Sequence, residues 1–378
     1  MQVRRIDLNK RQDVEQFVQF PFDLYRDCPQ WVPPLKSDER LMLNPNKYHF
    51  YRHSVADFFV VESGKGAGGE MLGRIAAIDN RMYNMHNHSR VAQFYFFDAI
   101  DDAQVAGSLF DAVLDWAACR GLNKLIGPRG LLEADGLGLL VDGFEHTPAP
   151  GMPYNYAYYD ALVTGAGLEK ERDYVSAYLS AGYTPPERIF ALAEKVKERS
   201  GFWIRTFRSK RELRVMVSGI KRIYNEAFSA LSGSYPIDDG EAAIIADRFL
   251  AIADPRLIKL VMKGDKVVGF LFAFPDITRG LQKARGQLWP TGWYHLLRAF
   301  KQTNGISVNG MGLLPQYQGL GAPAILYAEM FKTIQDMHFH FEHVDLAQID
   351  EHNAKSLAEI HGMGGKLYKR HRIYERAV

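Results

Sequence analysis

Gly312-Leu313-Leu314-Pro315-Gln316-Tyr317-Gln318-Gly319-Leu320-Gly321-Ala322-Pro323 is the stretch on which the reading of this chain turns. An apolar, β-prone run from Ile306 to Leu314 enters it. Out of it comes a helical pattern with Leu326, Met330, Ile334 and Met337 on one face. A glycine-bearing turn between a strand and a helix directs unpaired N–H groups outward at the positive end of the helix dipole, which suits phosphate. Gly319 and Gly321 have no side chains, so a pyrophosphate can come close to the backbone. The competing reading is an ordinary strand–turn–helix joint with Pro323 in the first helical turn, where proline is well tolerated.

Several features of the whole chain narrow the possibilities. A length of 378 residues suggests at least two domains, and 47% apolar residues are enough for sizeable cores. The net charge of +2 gives no field that calls for nucleic acid or an anionic membrane. Cys28 and Cys119 cannot form a disulfide framework and fit a reducing cytosol. No apolar signal core follows Met1, and no run of about 18 apolar residues is long enough to span a membrane. The expectation is a cytoplasmic protein.

The chain repeats one order twice: hairpin, strand, helix, strand, helix, strand. Asn155 to Gly167 and Asn353 to Gly365 span the same interval, and each reads as an asparagine-led short helix stopped by glycines. Mixed strand and helix in this order predicts an α/β (α+β) fold with two domains, each a twisted mixed sheet flanked by helices. The proline-rich break at residues 184–187 and a charged connector place the division at 1–197 and 198–378. Other expectations are a helix over Tyr154 to Thr164, an N-cap at Asp101, a polar loop at 82–88, a turn at Ser63 to Gly69, and one helix from Glu212 to Phe228.

The two copies differ at the joint before the long helix. Where the second has Gly319-Leu320-Gly321, the first has Asp98-Ala99-Ile100-Asp101-Asp102. Carboxylates there take up the helix donors and repel a pyrophosphate. The first copy is therefore expected to lack a phosphate site.

The turn also resembles motif A of the GNAT acyltransferases, roughly P-x-Y-[QR]-G-x-G-x-[GA], which holds the pyrophosphate of coenzyme A. Pro315, Tyr317, Gln318, Gly319 and Gly321 match in place, while Pro323 departs from the pattern and has no N–H to donate. A shifted register from Gln316 also fits the shorter Q-x-x-G-x-G form, so the donors stay open. Asn353, its short helix and its glycine stop are similar to motif B. Gly138 to Phe144, Met152 to Asn155, Tyr158-Tyr159 and the ending Gly364 to Glu375 resemble a bacterial family of tandem GNAT-like proteins whose substrates are undefined.

The resemblance implies acetyl-CoA or another acyl-CoA, held by Leu313, Leu314, Gln318, Gly319, Leu320, Gly321, Ala322 and Asn353, and acyl transfer to an amine in the second copy. Backbone N–H groups near Leu313 and Leu314 would meet the oxyanion. Asp345, Glu351 and His361 are the candidate base or anchor. Glu133, Tyr154, Asn155 and Tyr158 of the first copy are candidates to line the acceptor site across the interface. Family members often carry a proton-donating tyrosine seven residues after the asparagine. Here that position is Ile360, which has nothing to donate.

The expected partner is a small-molecule or peptide amine, with neither nucleic acid nor membrane. The alternative is a non-catalytic module that binds coenzyme A or a peptide. The basic run Lys366, Lys369, Arg370 and Arg372 offers a nucleic-acid reading but lies on a strand without base-stacking context, and reads equally as a solvated face. No metal is expected. No cysteine or carboxylate joins His86 and His88 at the usual ligand spacing, and the same holds for the spacings of His338, His340 and His343. The insert at 276–305 has a short apolar face. That favours packing over the hairpin, or lining a substrate pocket, above lying on a membrane.

Overall fold

The computed structural model describes residues 1–64, 69–180, 185–228, 233–337 and 342–378. The first copy runs β1 (Gln2–Arg5), α1 (Arg11–Leu24), α2 (Lys36–Met42), β2 (Val55–Glu62), β3 (Met71–Asp79), α3 (Arg81–His86), β4 (Val91–Ala99), α4 (Ala103–Ala118), β5 (Lys124–Gly127), β6 (Leu139–Asp142), α5 (Tyr159–Gly165) and β7 (Glu169–Ser180). A connecting helix, α6 (Glu187–Ser200), leads to β8 (Phe202–Arg205), α7 (Lys210–Val215), α8 (Val217–Phe228) and α9 (Asp239–Ile252). The second copy continues β9 (Ile258–Lys263), β10 (Lys266–Pro275), α10 (Thr278–Ala284), α11 (Gly292–Gln302), β11 (Gly305–Leu313), α12 (Ala322–Asp336), β12 (His343–Asp350), α13 (Ala354–Gly362) and β13 (Lys366–Ala377).

The repeat is present, but its two halves do not close separately. Their strands form one sheet in the order β1-β2-β3-β4-β5-β13-β7-β12-β11-β10-β9-β8, with β6 paired to β13. Each copy is completed by the last strand of the other: β13 pairs with β5, and β7 pairs with β12. The exchanged strands pair with each other, antiparallel, from Lys366 opposite Tyr178 to Glu375 opposite Glu169. The order reads the same from either end, so the copies are related by a pseudo-two-fold between β13 and β7. The division expected between residues 197 and 198 falls inside α6, away from the seam of the sheet.

Buried charges hold this seam. The Asp173 carboxylate, on β7, accepts from Arg370 and Arg372 on β13 and lies beside Lys170. Its side chain is fully buried. Burial opposes ionisation, but the hydrogen bonds from Arg372, Arg370 and Lys170 prevail and lower it to about 2. The basic run on β13 is thus largely consumed inside the fold, with Lys369 also buried.

Apolar periodicity explains the layers on either side. On α4, Val105, Leu109, Val113 and Trp116 turn into the first core, as their 3.6-residue spacing requires. On α12, Ile325, Leu326 and Met330 pack on the buried faces of β9 and β10. Each such fully buried side chain contributes about 1.5–3 kcal/mol. Tyr235, Ile237, Ala242 and Ile245 of the second half pack in the same core as Phe17, Tyr48 and Phe50 of the first.

Several local expectations are corrected. Asp102, not Asp101, caps α4, its Oδ1 accepting from Gln104 N and Val105 N. The helix expected from Tyr154 begins only at Tyr159, because Asn155 is bonded to Leu140 and its neighbour instead. The helix expected from Glu212 to Phe228 is divided at Met216. The polar loop expected at 82–88 contains α3, capped by the Asn80 side chain. The turn expected at Ser63 to Gly69 lies partly outside the described residues, as do His338 and His340.

Candidate functional site: a phosphate turn and a wedge between strands

β11 and β12 run parallel and pair only from Gly305 opposite His343 to Val308 opposite Leu346. Beyond this point they part. Gln348 adopts φ +50, the β12 register shifts between Leu346 and Ile349, and β12 follows β7 instead of β11. Gln348 is fixed there by bonds from its N–H to Ser176 Oγ and from its Nε2 to Leu137 O. A wedge is left whose β11 side lacks a strand partner.

The ladder with β10 determines which donors face this wedge. Leu314 N–H is bonded to Val268 O at 3.0 Å. Antiparallel pairing alternates, so the N–H of Leu313, opposite Gly269, points away from β10 and toward the wedge. Of the two residues expected to supply an oxyanion donor, only Leu313 has its N–H on the open side. This corrects the expectation for the Leu314 N–H.

At the open end of the wedge the chain makes the glycine turn that the sequence reading expects to hold phosphate. Gly319 and Gly321 have φ of +77 and +83, the left-handed region that glycine enters without strain. Gly321 is the N-cap of the 15-residue α12, and no side chain caps it. Gln318, Gly319 and Leu320 are exposed, and a Cβ added at Gly319 would meet nothing within 4 Å. Gly321 differs: an added Cβ would lie 2.6 Å from Val196 Cγ2 on α6. The connecting helix therefore packs directly beside the turn. Ala322 is buried under it, and the Gln318 amide donates to Leu313 O at 3.3 Å. The turn has the open, uncapped form that a pyrophosphate needs.

The same place in the first copy is closed. β4 and β5 pair only from Val91 to Gln93, so a wedge begins there too. The Ala99 N–H, however, donates to Tyr159 Oη and the Ala99 carbonyl accepts from Tyr158. Tyr25 donates to Tyr159 Oη, and Asp98 is bound by Arg74. The Asp102 side chain fills the helix cap. Tyrosines and carboxylates thus take the positions that a ligand would need.

This accounts for the first-copy residues expected at an acceptor site. Asn155 is buried, with its oxygen and its amide both bonded to backbone. Tyr158 belongs to the plug, and Tyr154 donates to Phe144 O. The structure does not bring them to the wedge as free groups, a correction to the sequence reading. Glu133 faces the second half, accepting from Ser234 Oγ at 3.2 Å, and burial pushes its carboxyl up to about 7.

In the second copy the named candidates fare differently. Glu351 is engaged: its oxygens accept from Lys170 Nζ and Asp173 N. Burial opposes its ionisation, yet these bonds hold the carboxylate below its usual range. Its expected role as a base is thereby corrected to a tie across the seam. His361 is exposed near the end of α13. Asn353 caps α13, accepting from Ser356 N at 3.1 Å. Ile360 is buried among Ala177, Leu179 and Met363, where a tyrosine ring would overfill the space.

Asp345 is the candidate that the structure equips. It sits opposite Ser307, one pair before the strands part, and its side chain is buried. Tyr368 donates to Asp345 Oδ2, and Oδ1 has no hydrogen-bond partner among the described residues. Burial raises the Asp345 carboxyl above its ordinary range, against the pull of the Lys369 ammonium. Lys369 Nζ donates to Thr147 O at 2.5 Å and to Tyr368 Oη at 3.1 Å, and burial lowers it to about 8. Sequence reading placed Lys369 and Tyr368 on the last strand without a role. Only the exchange of β13, which brings it beside β7 and the 145–148 loop, shows that they meet Asp345.

Two further features lie away from the wedge. His49, His53 and Asp238 place three potential ligand atoms within 4.8 Å of one another, with His49 Nε2 already 2.8 Å from Asp238 Oδ2. A cavity of about 600 Å³ opens at the first copy's β4–β5 end, against Arg90, Lys124, Arg129 and Tyr174. It includes no residue of the phosphate turn or the Asp345 cluster.

No family model matches the chain. Among curated proteins it is 25% identical to Protein YghO of Escherichia coli (strain K12), an alignment spanning 99% of this chain and 95% of that one. It is 26% identical to the bacterial ceramide synthase of Caulobacter vibrioides (strain NA1000 / CB15N), spanning 97% and 95%. Among solved structures, a tandem GNAT protein from the clavulanic acid biosynthesis pathway aligns with 100% of this chain and 98% of its own, at a TM-score of 0.56 and 10% identity. A GCN5-related N-acetyltransferase from Anabaena variabilis aligns over 99% of this chain and 72% of its own, with a TM-score of 0.50 and 9% identity. The chain has the fold of the tandem GNAT acetyltransferases, a mixed α/β architecture in which two copies share one sheet.

Proposed function

We propose that the protein is an acyl-CoA-dependent N-acyltransferase whose second copy binds the acyl-CoA. The observation that carries this reading is the asymmetry between the copies: an uncapped glycine turn and an open wedge in one, a tyrosine plug and an aspartate cap in the other. Acyl-CoA supplies an acyl group already activated as a thioester. Transfer forms an N–C bond to the amine and breaks the C–S bond; the amine gives up one proton and the departing thiolate gains one.

In this reading the turn from Gln318 to Ala322 holds the pyrophosphate, and Leu313 N–H meets the charge that develops on the carbonyl oxygen. Asp345 Oδ1 accepts the amine proton, while Tyr368 fixes the other carboxylate oxygen. Lys369 keeps a positive charge beside that carboxylate. The name of the Caulobacter relative suggests the acceptor class: a ceramide is an N-acylated long-chain amino alcohol, so the proposed acceptor is a long-chain amine.

Calorimetry with coenzyme A and acyl-CoAs tests the first half, because a ligand that binds only the folded state must raise its stability. Thiol release with long-chain amino alcohols, compared with short amines and peptides, tests the second. Coenzyme A binding with no release across these acceptors would favour a binding module over an enzyme.

A further inference from the structure

The segment between β10 and β11 leaves the sheet and returns at one point, where Asp276 N donates to Gly305 O. Between these ends α10 and α11 form a tight helical hairpin. A Cβ added at Gly280 would lie only 2.7 Å from Ala299 Cβ, which measures how closely the helices approach. The far end of the hairpin, where α10 gives way to the loop, is tied to the first copy: Lys36 N donates to Gly286 O, and the Gln282 amide donates to Pro29 O. The hairpin is therefore fixed at both ends.

Its apolar residues are not covered. Leu288, Trp289, Trp293, Tyr294 and Leu297 are all exposed, Trp289 at 79%. Packing over the β-hairpin, the preferred sequence reading of this insert, would have buried them. On α11, Trp293, Tyr294 and Leu297 lie within one side of the helix, with Arg298 and Lys301 flanking it. Five exposed aromatic and aliphatic side chains within ten residues form a patch that needs a partner.

Charge identifies the partner. Residues 276–305 contain five lysines and arginines against one aspartate, a net of +4 in a chain whose total is +2. Arg279, Lys283, Arg285, Arg298 and Lys301 are exposed, and none is paired with a carboxylate among the described residues. Between the helices a cavity of about 220 Å³ is lined by Arg279, Lys283, His295 and Arg298. Tryptophan and tyrosine favour the boundary between lipid headgroups and acyl chains, and flanking cations favour an anionic leaflet.

We propose that the α10–α11 hairpin docks the protein on an anionic lipid bilayer. Leu288, Trp289, Trp293 and Leu297 enter the interfacial layer, and the basic residues lie against its phosphates. The proposal stands on this surface and does not depend on acyl transfer. It does fix an orientation: the ends of the hairpin, Asp276 and Gly305, lie beside His343, whose Nε2 is 3.7 Å from Asp276 Oδ2 and which stands on the strand that also holds Asp345.

Sedimentation of the full-length protein with vesicles tests this directly. Phosphatidylcholine vesicles containing phosphatidylglycerol should carry the protein down, pure phosphatidylcholine should do so weakly, and added salt should reverse the difference. The Trp289→Ser/Trp293→Ser variant and the Arg298→Gln/Lys301→Gln variant should each lose about tenfold or more in vesicle affinity, with the melting temperature unchanged. Absence of wild-type sedimentation with anionic vesicles would overturn the proposal, as would equal sedimentation of the tryptophan variant. Self-association lost in the tryptophan variant, without vesicle binding, would overturn it in favour of a second copy covering the patch.

Discussion

Tyr368 donates its hydroxyl to Asp345 Oδ2 across the seam of the sheet, and Asp345 Oδ1 is buried without a hydrogen-bond partner among the described residues. A carboxylate held at one oxygen and open at the other is poised to accept a proton there. Asp345→Asn should lower kcat for acyl transfer about 10²-fold or more while leaving coenzyme A affinity unchanged. Thiol-release kinetics beside calorimetry would separate the two. A variant that loses coenzyme A binding in step with its rate would place Asp345 in ligand binding instead.

The phosphate turn can be tested without straining the fold. Gly321→Glu would collide with Val196, so a loss of binding there would be ambiguous. Leu320 is 50% exposed, and a glutamate there favours the N-terminus of α12. Leu320→Glu should therefore leave the melting temperature equal or slightly higher and weaken coenzyme A binding about tenfold or more by charge repulsion. Asp102→Ala should do the reverse: a loss of about 1 kcal/mol from an uncapped α4, with coenzyme A binding unchanged.

Exchange of the last strands predicts how the protein fails when divided. A fragment of residues 198–378 lacks β7, so β12 keeps only its short pairing with β11, β13 loses all its strand partners, and both expose unpaired edges. It should be aggregated or unfolded by circular dichroism and size-exclusion chromatography. Extending the fragment with residues 169–180 through a flexible linker should recover soluble, folded material. A well-folded monomer from residues 198–378 alone would show that β7 is dispensable.

Acid stability should report on Asp173. Its carboxyl is lowered to about 2 in the fold, below its ordinary value near 4. The folded state thus binds fewer protons than the unfolded chain in this window. Its contribution is complete above about pH 4 and is lost as the pH falls through about 2. Asp173→Asn should cost about 1.5–3 kcal/mol at neutral pH, because it removes charge-assisted bonds from the partly exposed Arg370 and Arg372. Urea titrations at pH 7 and pH 3 should show the gap between wild type and variant narrowing at the lower pH.

The sequence by itself determined what is local. Glycine spacing at 319 and 321 marked the turn, 3.6-residue periodicity marked α4 and α12, and paired aspartates marked the copy whose long helix is capped by a side chain, because each follows from backbone freedom, burial or charge within a few residues. The duplication was also legible, since repeated order needs no distances. Tertiary structure alone decided the rest. Which strand completes which copy depends on partners as far apart as Ser180 with His343 and Lys124 with Ala377, and no periodicity records them. Lys369 looked like one more member of a basic run until the exchange of β13 buried it beside Asp345. Asn155 looked like the counterpart of Asn353, yet its side chain is used by Leu140. Trp289 and Trp293 would read the same in sequence whether covered or exposed, and only the packing of α10 against α11 leaves them facing outward.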